Sequence, residues 1–483
     1  MSPQEERVLP AGQAPAAQVI QLAGEVEAAL YEVRKKIYPR AVHGWFAGWR
    51  WALVWFTQIL FYGTAWLDWN GRQAVLFNLA ERKFMIFGLV LWPQDFIYLT
   101  ALLIISALSL FLFTTVAGRL WCGYACPQTV YTEMFLWIER LCEGDRGARM
   151  RLDERGTARE KFLRKGAKHS LWVLLALWTG LTFVGYFTPI RSLVPSFAGW
   201  TLGPWETFWI FFYAFATYGN AGWMREQVCK YMCPYARFQS AMFDRDTMII
   251  TYDQARGEPR GGRSRKVDHK AGGMGDCVDC GICVQVCPTG IDIRKGLQYE
   301  CIGCAACIDG CNQVMDKMGY ARGLIRYSTE NGMAGRWTPR QVWARVLRPR
   351  TLIYSAIVGT VIITLLASIA LRVPLKVDVI RDRGALGQVV EDGMVENVYR
   401  LQIMNTQEAP RRYKIVAAGI DGIEVVSESV AELPGATTRM VPVRVRIPPG
   451  RLASGSHRIE FLVEAIGDAS IKVRESAVFL VPR

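Results

Sequence analysis

Two cysteine runs of identical spacing constrain the fold of this chain more than any other feature of its sequence. Each run reads Cys-x2-Cys-x2-Cys-x3-Cys, and both lie between residues 277 and 311. A tight turn of this kind supplies three thiolates to one [4Fe–4S] cluster, and the last cysteine of each run reaches the other cluster. We therefore predict two clusters. Their ligands are Cys277, Cys280, Cys283 and Cys311 for the first cluster, and Cys301, Cys304, Cys307 and Cys287 for the second.

A pair of zinc sites is the alternative interpretation of these eight cysteines. Zinc needs four ligands per ion, which usually come as two separated pairs, so the continuous runs favour clusters. Asn312 stands where many such segments carry proline, which changes the turn and leaves the ligand set intact. Because two adjacent clusters relay single electrons, residues 251–330 are predicted to form a cytoplasmic ferredoxin-like electron-transfer domain.

Five apolar blocks in the chain are long enough, or nearly so, to cross a bilayer as helices of about 20 residues. The composition agrees, since 51% of the residues are hydrophobic and 17 are Trp. A further block, 84–92, is too short and is followed by Pro93, which predicts an interfacial or re-entrant piece. The five predicted spans are 51–67, 96–117, 171–190, 205–224 and 352–371.

The distribution of Lys and Arg predicts the orientation of these spans. Basic residues are dense before the first block, between the second and third, and on both sides of the cysteine runs, whereas Arg191 is alone between the third and fourth. The positive-inside rule then places the N-terminus inside and the C-terminus outside. The net charge of +14 follows from this topology, so the lipid bilayer is the expected partner and nucleic acid is not. Residues 1–45 read as a polar cytoplasmic tail without a signal peptide.

Two pairs of cysteines lie at the inner ends of predicted spans, each pair four residues apart and followed by proline. At this spacing the two sulfurs of a pair share one face of a helix if its last turn persists. Soft thiolates select Cu(I), so the four sulfurs are predicted to bind copper or a third cluster. The alternative is that each cysteine is a small apolar residue, which two equivalent pairs make less attractive. The pairs are Cys122 with Cys126 and Cys229 with Cys233.

The remaining polar candidates in this region carry less weight. Cys142 has no partner in sequence and is expected to be incidental. Glu133 and Glu139, behind the first pair, are expected to be solvated residues of a helix face, with proton transfer as the other interpretation. All 13 cysteines lie between residues 122 and 311, and none lies in the outside domain, where an oxidising compartment would favour disulfides.

The C-terminal part of the chain reads as an immunoglobulin-like β-sandwich. About seven short alternating strands, separated by Pro- and Gly-containing turns, are predicted within residues 375–483. The overall prediction is a mixed membrane protein in five parts. These are a tail (1–45), a four-helix membrane domain (46–250), the ferredoxin-type domain (251–330), a linker with the fifth span (331–374) and the periplasmic sandwich (375–483).

The sequence also indicates that electrons come from elsewhere. No Gly-x-Gly-x-x-Gly follows a strand, so a nicotinamide or flavin has no recognisable cradle. Histidine occurs four times, and none lies in a predicted span, which leaves no bis-histidine haem site in the membrane. A separate electron donor is therefore expected.

Taken together, WCGYACPQ, CKYMCPY and the stretch YDQARGEPRG leading into the two cysteine runs resemble the CcoG family of oxidase accessory proteins, also called FixG or RdxA. The resemblance covers nearly the whole chain apart from the tail. It implies a multi-pass protein of the bacterial inner membrane that reduces Cu(II) to Cu(I) for assembly of cbb3-type cytochrome c oxidase. It also implies copper handling near the two cysteine pairs. Oxidase subunits or a copper chaperone would be the partners of the C-terminal domain.

Two other classes of function are compatible with these features. NapH-type and NosR-type quinol-linked electron carriers share the paired motifs and the cysteine runs, although NapH-type proteins would be expected to end soon after them. A non-enzymatic assembly scaffold is the third interpretation, in which the β-domain binds partners and the clusters are structural.

Overall fold

The computed structural model of the chain describes residues 36–266, 270–335, 337–382, 387–390 and 393–482. Residues 1–35 of the predicted tail lie outside the described residues.

The first half of the described chain is mainly helical. Its helices are α1 (Trp45–Thr64), α2 (Phe96–Ala117), α3 (Leu120–Tyr124), α4 (Pro127–Glu143), α5 (Arg146–Arg155), α6 (Ala158–Val184), α7 (Ile190–Ala198), α8 (Pro204–Thr217) and α9 (Pro234–Met242). Two π-helical segments, Tyr218–Met224 and Val228–Met232, lie between α8 and α9. Five short strands follow α1: β1 (Asp68–Trp69), β2 (Arg72–Gln73), β3 (Val75–Asn78), β4 (Lys83–Ile86) and β5 (Leu89–Leu91).

The cysteine-rich segment consists of short elements around a small core. They are β6 (Ile249–Tyr252), α10 (Gln254–Gly257), α11 (Ile282–Gln285), α12 (Ala306–Met318) and β7 (Ile325–Ser328), with β6 and β7 paired antiparallel. Three helices follow: α13 (Glu330–Ala334), α14 (Pro339–Ala344) and α15 (Pro349–Ala370). Asp309 of α12 accepts hydrogen bonds from Phe46 and Ala47 at the start of α1. This cap fastens the segment to the first long helix.

Among the described residues, three helical stretches are long and apolar enough to cross a membrane: Pro93–Ala117, Ala158–Val184 and Pro349–Ala370. They correspond to the second, third and fifth predicted spans. The first and fourth predicted spans coincide with α1 and with α8 continued by its π-helical segment. Five crossings and their direction remain predictions.

The C-terminal domain is a sandwich of two antiparallel sheets. Its strands are β8 (Leu375–Arg381), β9 (Gln388–Val389), β10 (Val395–Asn405), β11 (Arg411–Ala418), β12 (Glu424–Val425), β13 (Val430–Leu433), β14 (Thr438–Ile447), β15 (Gly455–Ala465) and β16 (Asp468–Val481). One sheet has the order β12-β14-β10-β8, with β9 also on β10, and the other has the order β13-β11-β15-β16. Nine strands are described where about seven were predicted, because β9 and β12 are two-residue pairings that the alternation does not reveal.

Block 84–92, predicted to be interfacial or re-entrant, consists mainly of strands. It forms most of β4 and β5, which with β3 make a three-stranded antiparallel sheet. Met85 and Val90 are buried and pack against Met404 of the sandwich. The block is apolar because it covers one end of the sandwich.

The sandwich and the cysteine-rich segment lie at opposite ends of the long helices. Near the start of α2, Asp95 pairs with Arg372 and Lys376, which lead into the sandwich. At its other end, the Val116 carbonyl accepts a hydrogen bond from Met248, next to β6. Because α2 has 22 residues, its ends are about 33 Å apart.

Candidate iron–sulfur and thiol site

The eight cysteines of the two runs surround two neighbouring cavities. The first cavity is lined by Cys277, Cys280, Cys283 and Cys311. The second is lined by Cys287, Cys301, Cys304 and Cys307, with Cys283 also contributing to its wall. The fold thus brings together the same two sets of four cysteines that the spacing assigns to two clusters. Their roles as ligands stay a prediction.

Both cysteine turns adopt the same unusual backbone. The residues that flank the second cysteine of each run have positive φ: Asp279 (50°) and Gly281 (65°) in the first, Gly303 (69°) and Ala305 (57°) in the second. Left-handed residues in a turn direct successive N–H groups into a concave surface that suits an anionic cluster. The cost of holding Asp279 and Ala305 in this region indicates that the turn itself is required. These turns fit [4Fe–4S] clusters.

Burial strongly disfavours free thiolates at several of these positions. It raises the pKa of Cys283 to about 11 and the pKa values of Cys301 and Cys311 to about 12. Without a bound metal these groups are neutral thiols, so ligation must release protons.

The two cysteine pairs come together beside the second cavity. Cys126 and Cys233 have the same position, directly before a proline at the start of α4 and α9. Burial raises the pKa of Cys229 to about 12, and the charges of Cys126, Cys122 and Cys233 add to this effect, so the four thiols lie within electrostatic range of one another. The fold therefore unites two sequence-distant motifs in one four-thiol site (Cys122, Cys126, Cys229 and Cys233).

The local backbone of the second pair differs from the predicted helical turn. Residues Val228–Met232 are π-helical, and the Cys233 N–H donates to the Val228 carbonyl five residues back, at 2.8 Å. Such single π-turns frequently occur at functional sites. Within the described part of the chain, no three His, Cys, Asp or Glu side chains converge closely enough to hold a single metal ion. The four-thiol site is thus a cluster of neighbours without a preformed copper geometry.

The first thiol pair lies directly against a cysteine turn of the second cavity. A Cβ atom added to Gly123 would be 2.8 Å from the Cα and N atoms of Cys304 and from the carbonyl oxygen of Ile302. A Cβ atom added to Gly303 would likewise be 3.1 Å from the carbonyl carbon and oxygen of Arg119. Only glycines permit this approach, so the small residue in CGYAC has a packing role.

A buried arginine acts on the cysteines of both the four-thiol site and the second cavity. Arg119 is 7% exposed and donates a hydrogen bond to the carbonyl of Ala236. Its positive charge partly offsets the effect of burial on the pKa of Cys122, Cys229 and Cys301. Arg119 was not among the residues predicted for the site, because a basic residue at the end of a span ordinarily indicates topology. The position of Arg119 three residues before Cys122 was the feature of the sequence that could have marked it as part of the site.

Gln239 is a second residue that sequence reasoning missed. Its side chain is fully buried and accepts a hydrogen bond from Cys122 Sγ at 3.5 Å. Gln239 lies on α9, six residues after Cys233, with no motif to mark it. Cys142 packs against a separate apolar cluster that contains Phe135 and Trp172.

The expectation that Glu139 is solvated was wrong. This carboxylate is 1% exposed and pairs with Arg225 at 2.8 Å, Arg149 at 3.2 Å and Lys168 at 3.8 Å. Arg149 is 10 residues from Glu139 and Arg225 is 86 residues from it, and these segments meet Glu139 only in the tertiary fold, which therefore reveals the burial. Glu133 is also largely covered, and it lies 3.5 Å from Arg140.

Comparison with known proteins adds three family models. A model described as "4Fe-4S dicluster domain" matches residues 224–330, and one described as "4Fe-4S binding domain" matches residues 99–143. A third, "IG-like fold at C-terminal of FixG", matches residues 365–482. The 4Fe-4S binding model (99–143) includes Cys122 and Cys126, and the dicluster model (224–330) includes Cys229 and Cys233.

Three curated relatives match over most of their length. The nitrogen fixation protein FixG of Rhizobium meliloti is 37% identical, and the aligned region covers 92% of this chain and 92% of the relative. Protein RdxA of Cereibacter sphaeroides is 40% identical over 84% of this chain and 87% of its own. Protein RdxB of the same organism is 41% identical over 80% and 82%.

Proposed function

The chain belongs to the family of FixG, RdxA and RdxB, and we propose that it reduces Cu(II) to Cu(I) at the four-thiol site. Its 4Fe–4S domains and apolar helices make it a membrane iron–sulfur electron-transfer protein. The Cu(I) would serve assembly of a cbb3-type cytochrome c oxidase, as the family resemblance implies.

The packing of Gly123 on Cys304 is the observation that carries this proposal. It places a proposed ligand of the second cluster in contact with the segment that holds Cys122 and Cys126. Cys122 and Cys229 also pack against the apolar group that contains Ile302 and Cys304. A short, water-poor path of this kind favours electron transfer from the clusters to the thiols.

The residues of the chain have distinct proposed roles. [4Fe–4S] clusters, when bound by the eight cysteines of the two runs, accept and donate single electrons. The four thiols bind copper, the substrate, and their softness favours the Cu(I) product. Arg119 supplies a buried positive charge that stabilises thiolate at Cys122 and Cys229. Reduction of each Cu(II) consumes one electron.

The orientation and partners belong to the same proposal. The Lys and Arg pattern supports a cytoplasmic iron–sulfur domain and a periplasmic sandwich. The sandwich, at the far end of α2 and α15, would then contact oxidase subunits or a copper chaperone outside the membrane.

The test is cluster-dependent formation of Cu(I). The anaerobic protein is reduced chemically and freed of reductant, Cu(II) is added, and Cu(I) is followed with a colorimetric chelator. One Cu(I) should form for each electron that the clusters lose, and Cys122→Ser together with Cys229→Ser should abolish most of it. Cys142→Ser is the matched control and should behave as wild type. Reduced clusters that persist in the presence of Cu(II) would refute the proposal.

A third cluster at the four-thiol site is the second candidate. It is favoured by the match of residues 99–143 to a 4Fe–4S binding model that includes Cys122 and Cys126. Iron analysis distinguishes the two, because about twelve iron atoms per chain would mean three clusters and about eight would mean two. Loss of about four irons in Cys126→Ser would establish the third cluster.

A further inference from the structure

A cavity of about 640 Å³ lies between α1, α4 and the segment that precedes α1. This volume falls within the range of about 300–1,000 Å³ that is typical of small-molecule sites. Trp51, Val54 and Leu136 contribute to its apolar wall, and Val286 and Pro288 also line it. Because these last two residues flank Cys287, the cavity reaches a proposed ligand of the second cluster.

The wall of this cavity contains two buried polar atoms that have no hydrogen-bond partner within the described part of the chain. They are Gln58 Oε1 and Arg50 Nε, and both side chains are 8% exposed. A buried polar atom left unpaired costs about 1–3 kcal/mol, which a ligand can recover. Gln58 Oε1 accepts a hydrogen bond, whereas Arg50 Nε donates one. The complementary ligand therefore carries both a donor and an acceptor, as a ring with hydroxyl groups does.

Three arginines and one carboxylate line the cavity (Arg40, Arg50, Arg140 and Glu133), and two of the arginines already pair with the carboxylate. Glu133 lines the cavity and lies 4.0 Å from Arg50, which is buried, and 3.5 Å from Arg140, which is half-buried. One carboxylate therefore faces both guanidinium groups. Arg40, which also lines the cavity, is exposed. A phospholipid phosphate would compete with Glu133, whereas a hydroxyl group would not.

The cavity is open toward the outer surface of the helices. Trp55 and Trp137 line it and are 63% and 51% exposed. The outer face of α1 continues with exposed Ile59 and Leu60, as expected of a surface that contacts lipid. A ligand that enters from this side has an apolar tail.

We propose that this cavity binds the ring of a lipid-soluble quinol and that its isoprenoid tail leaves between Trp55 and Trp137. The ring hydroxyl donates to Gln58 Oε1, a ring oxygen accepts from Arg50 Nε, and Glu133 is the nearby base. The inference rests on the proposed function, for which it names the class of electron donor. Oxidation of one quinol to the quinone releases two protons, which pass one after the other to Glu133 and from it to solvent, and two electrons, one for each of two [4Fe–4S] clusters when these are bound.

The test measures quinone binding directly, apart from any activity. The full-length protein in detergent is titrated with a short-chain ubiquinone or menaquinone that carries a photoreactive group, and labelled peptides are identified by mass spectrometry. One quinone per chain should label peptides from α1 and α4, and excess unmodified quinone should prevent it. Gln58→Leu should weaken binding about tenfold, since it removes one hydrogen bond to the ring.

Thr57→Val is the matched control for Gln58→Leu. Thr57 neighbours Gln58 on α1, but its hydroxyl group donates to the Leu53 and Val54 carbonyls within the helix and does not line the cavity. This variant should bind quinone as wild type does. Labelling spread over the lipid-facing helices, equal binding by Gln58→Leu, or displacement of the probe by phospholipid alone would each overturn the inference.

A second measurement separates this inference from the proposed function. Anaerobic addition of the quinol should reduce the clusters of the wild-type protein, with two electrons per quinol. Chemical reduction bypasses the cavity, so Cu(I) formation after it tests the copper proposal alone. Copper reduction without quinone binding would refute only the donor site, and quinone binding without copper reduction would refute only the reductase.

Discussion

The cysteine-rich segment and the C-terminal sandwich achieve burial in different ways. In the sandwich, strands of up to 14 residues enclose fully buried side chains such as Tyr399, Leu401 and Phe461. In the segment around β6 and β7, helix α11 has four residues, and Cys277, Cys283 and Cys311 are themselves part of the core. Elements this short are not stable by themselves. The comparison indicates that clusters stabilise one region and apolar packing the other.

The largest expected effect is the loss of a cluster ligand. Cys304→Ser should lower the iron content from about eight to about four atoms per chain, because the second cluster loses one of four thiolates. The segment 277–311 should become sensitive to protease, while the sandwich stays resistant, as limited proteolysis with mass spectrometry would reveal. Cys142→Ser should change neither quantity. Unchanged iron in Cys304→Ser would contradict the ligand assignment.

A cavity in the sandwich should give the reverse pattern. Phe461 is fully buried and contacts the ring of Tyr399 at 5.0 Å between centroids. Phe461→Ala should lower the free energy of unfolding of this domain by about 3–5 kcal/mol. Hydrogen exchange of peptides from residues 375–482 measures this change, and the iron content should stay constant. Val416→Ala, at a position 38% exposed on the neighbouring strand, is the control. Iron loss in Phe461→Ala would mean that the two regions fold as one unit.

A smaller effect is expected where the thiol pairs meet the iron–sulfur segment. In Gly123→Ala the new methyl group would lie 2.8 Å from the Cys304 backbone, so the two loops must separate. Electron transfer to copper should slow by at least tenfold, since small displacements at reacting centres are costly. Stopped-flow reoxidation of the clusters measures the rate. Gly63→Ala, on α1 with no neighbouring atom within 4 Å, should leave it unchanged.

The smallest effect concerns acid sensitivity near the start of the described chain. Burial disfavours the charged form of Asp153, but hydrogen bonds from Lys165, Lys36 and Tyr38 outweigh it and hold the carboxyl pKa well below its ordinary value of 3.8. A lowered pKa in the folded state stabilises attachment of residues 36–38 to α5 above pH 3.8, and this contribution declines as pH falls below it.

Asp153→Asn should mimic that loss at neutral pH. Hydrogen exchange should accelerate in peptides that contain Lys36 and Tyr38, without a change in the sandwich. The exposed pair of Asp382 and Arg400 offers a control, since Asp382→Asn should alter neither region measurably. Equal protection in Asp153→Asn and wild type would show that other contacts hold residues 36–38.

Much of the cysteine chemistry was predictable because its determinants are local. The fixed spacing of eight cysteines predicts two groups of four, because the conformation of each turn depends on only a few neighbouring residues. The sandwich was predicted from strict alternation, which is also a local pattern. The strands of block 84–92 were not predicted, because its buried residues Met85 and Val90 pack on Met404, more than 300 positions away.

By itself, the sequence indicated which cysteines are candidates for the chemistry and that an iron–sulfur region precedes a C-terminal β-rich domain. The tertiary structure alone decided that Arg119 lies near both cysteine pairs and that Glu139 is buried among three cations. The physical reason is the distance along the sequence over which each interaction acts. Spacing and periodicity express contacts within a few residues, whereas burial and charge compensation depend on segments that meet only when the chain has folded.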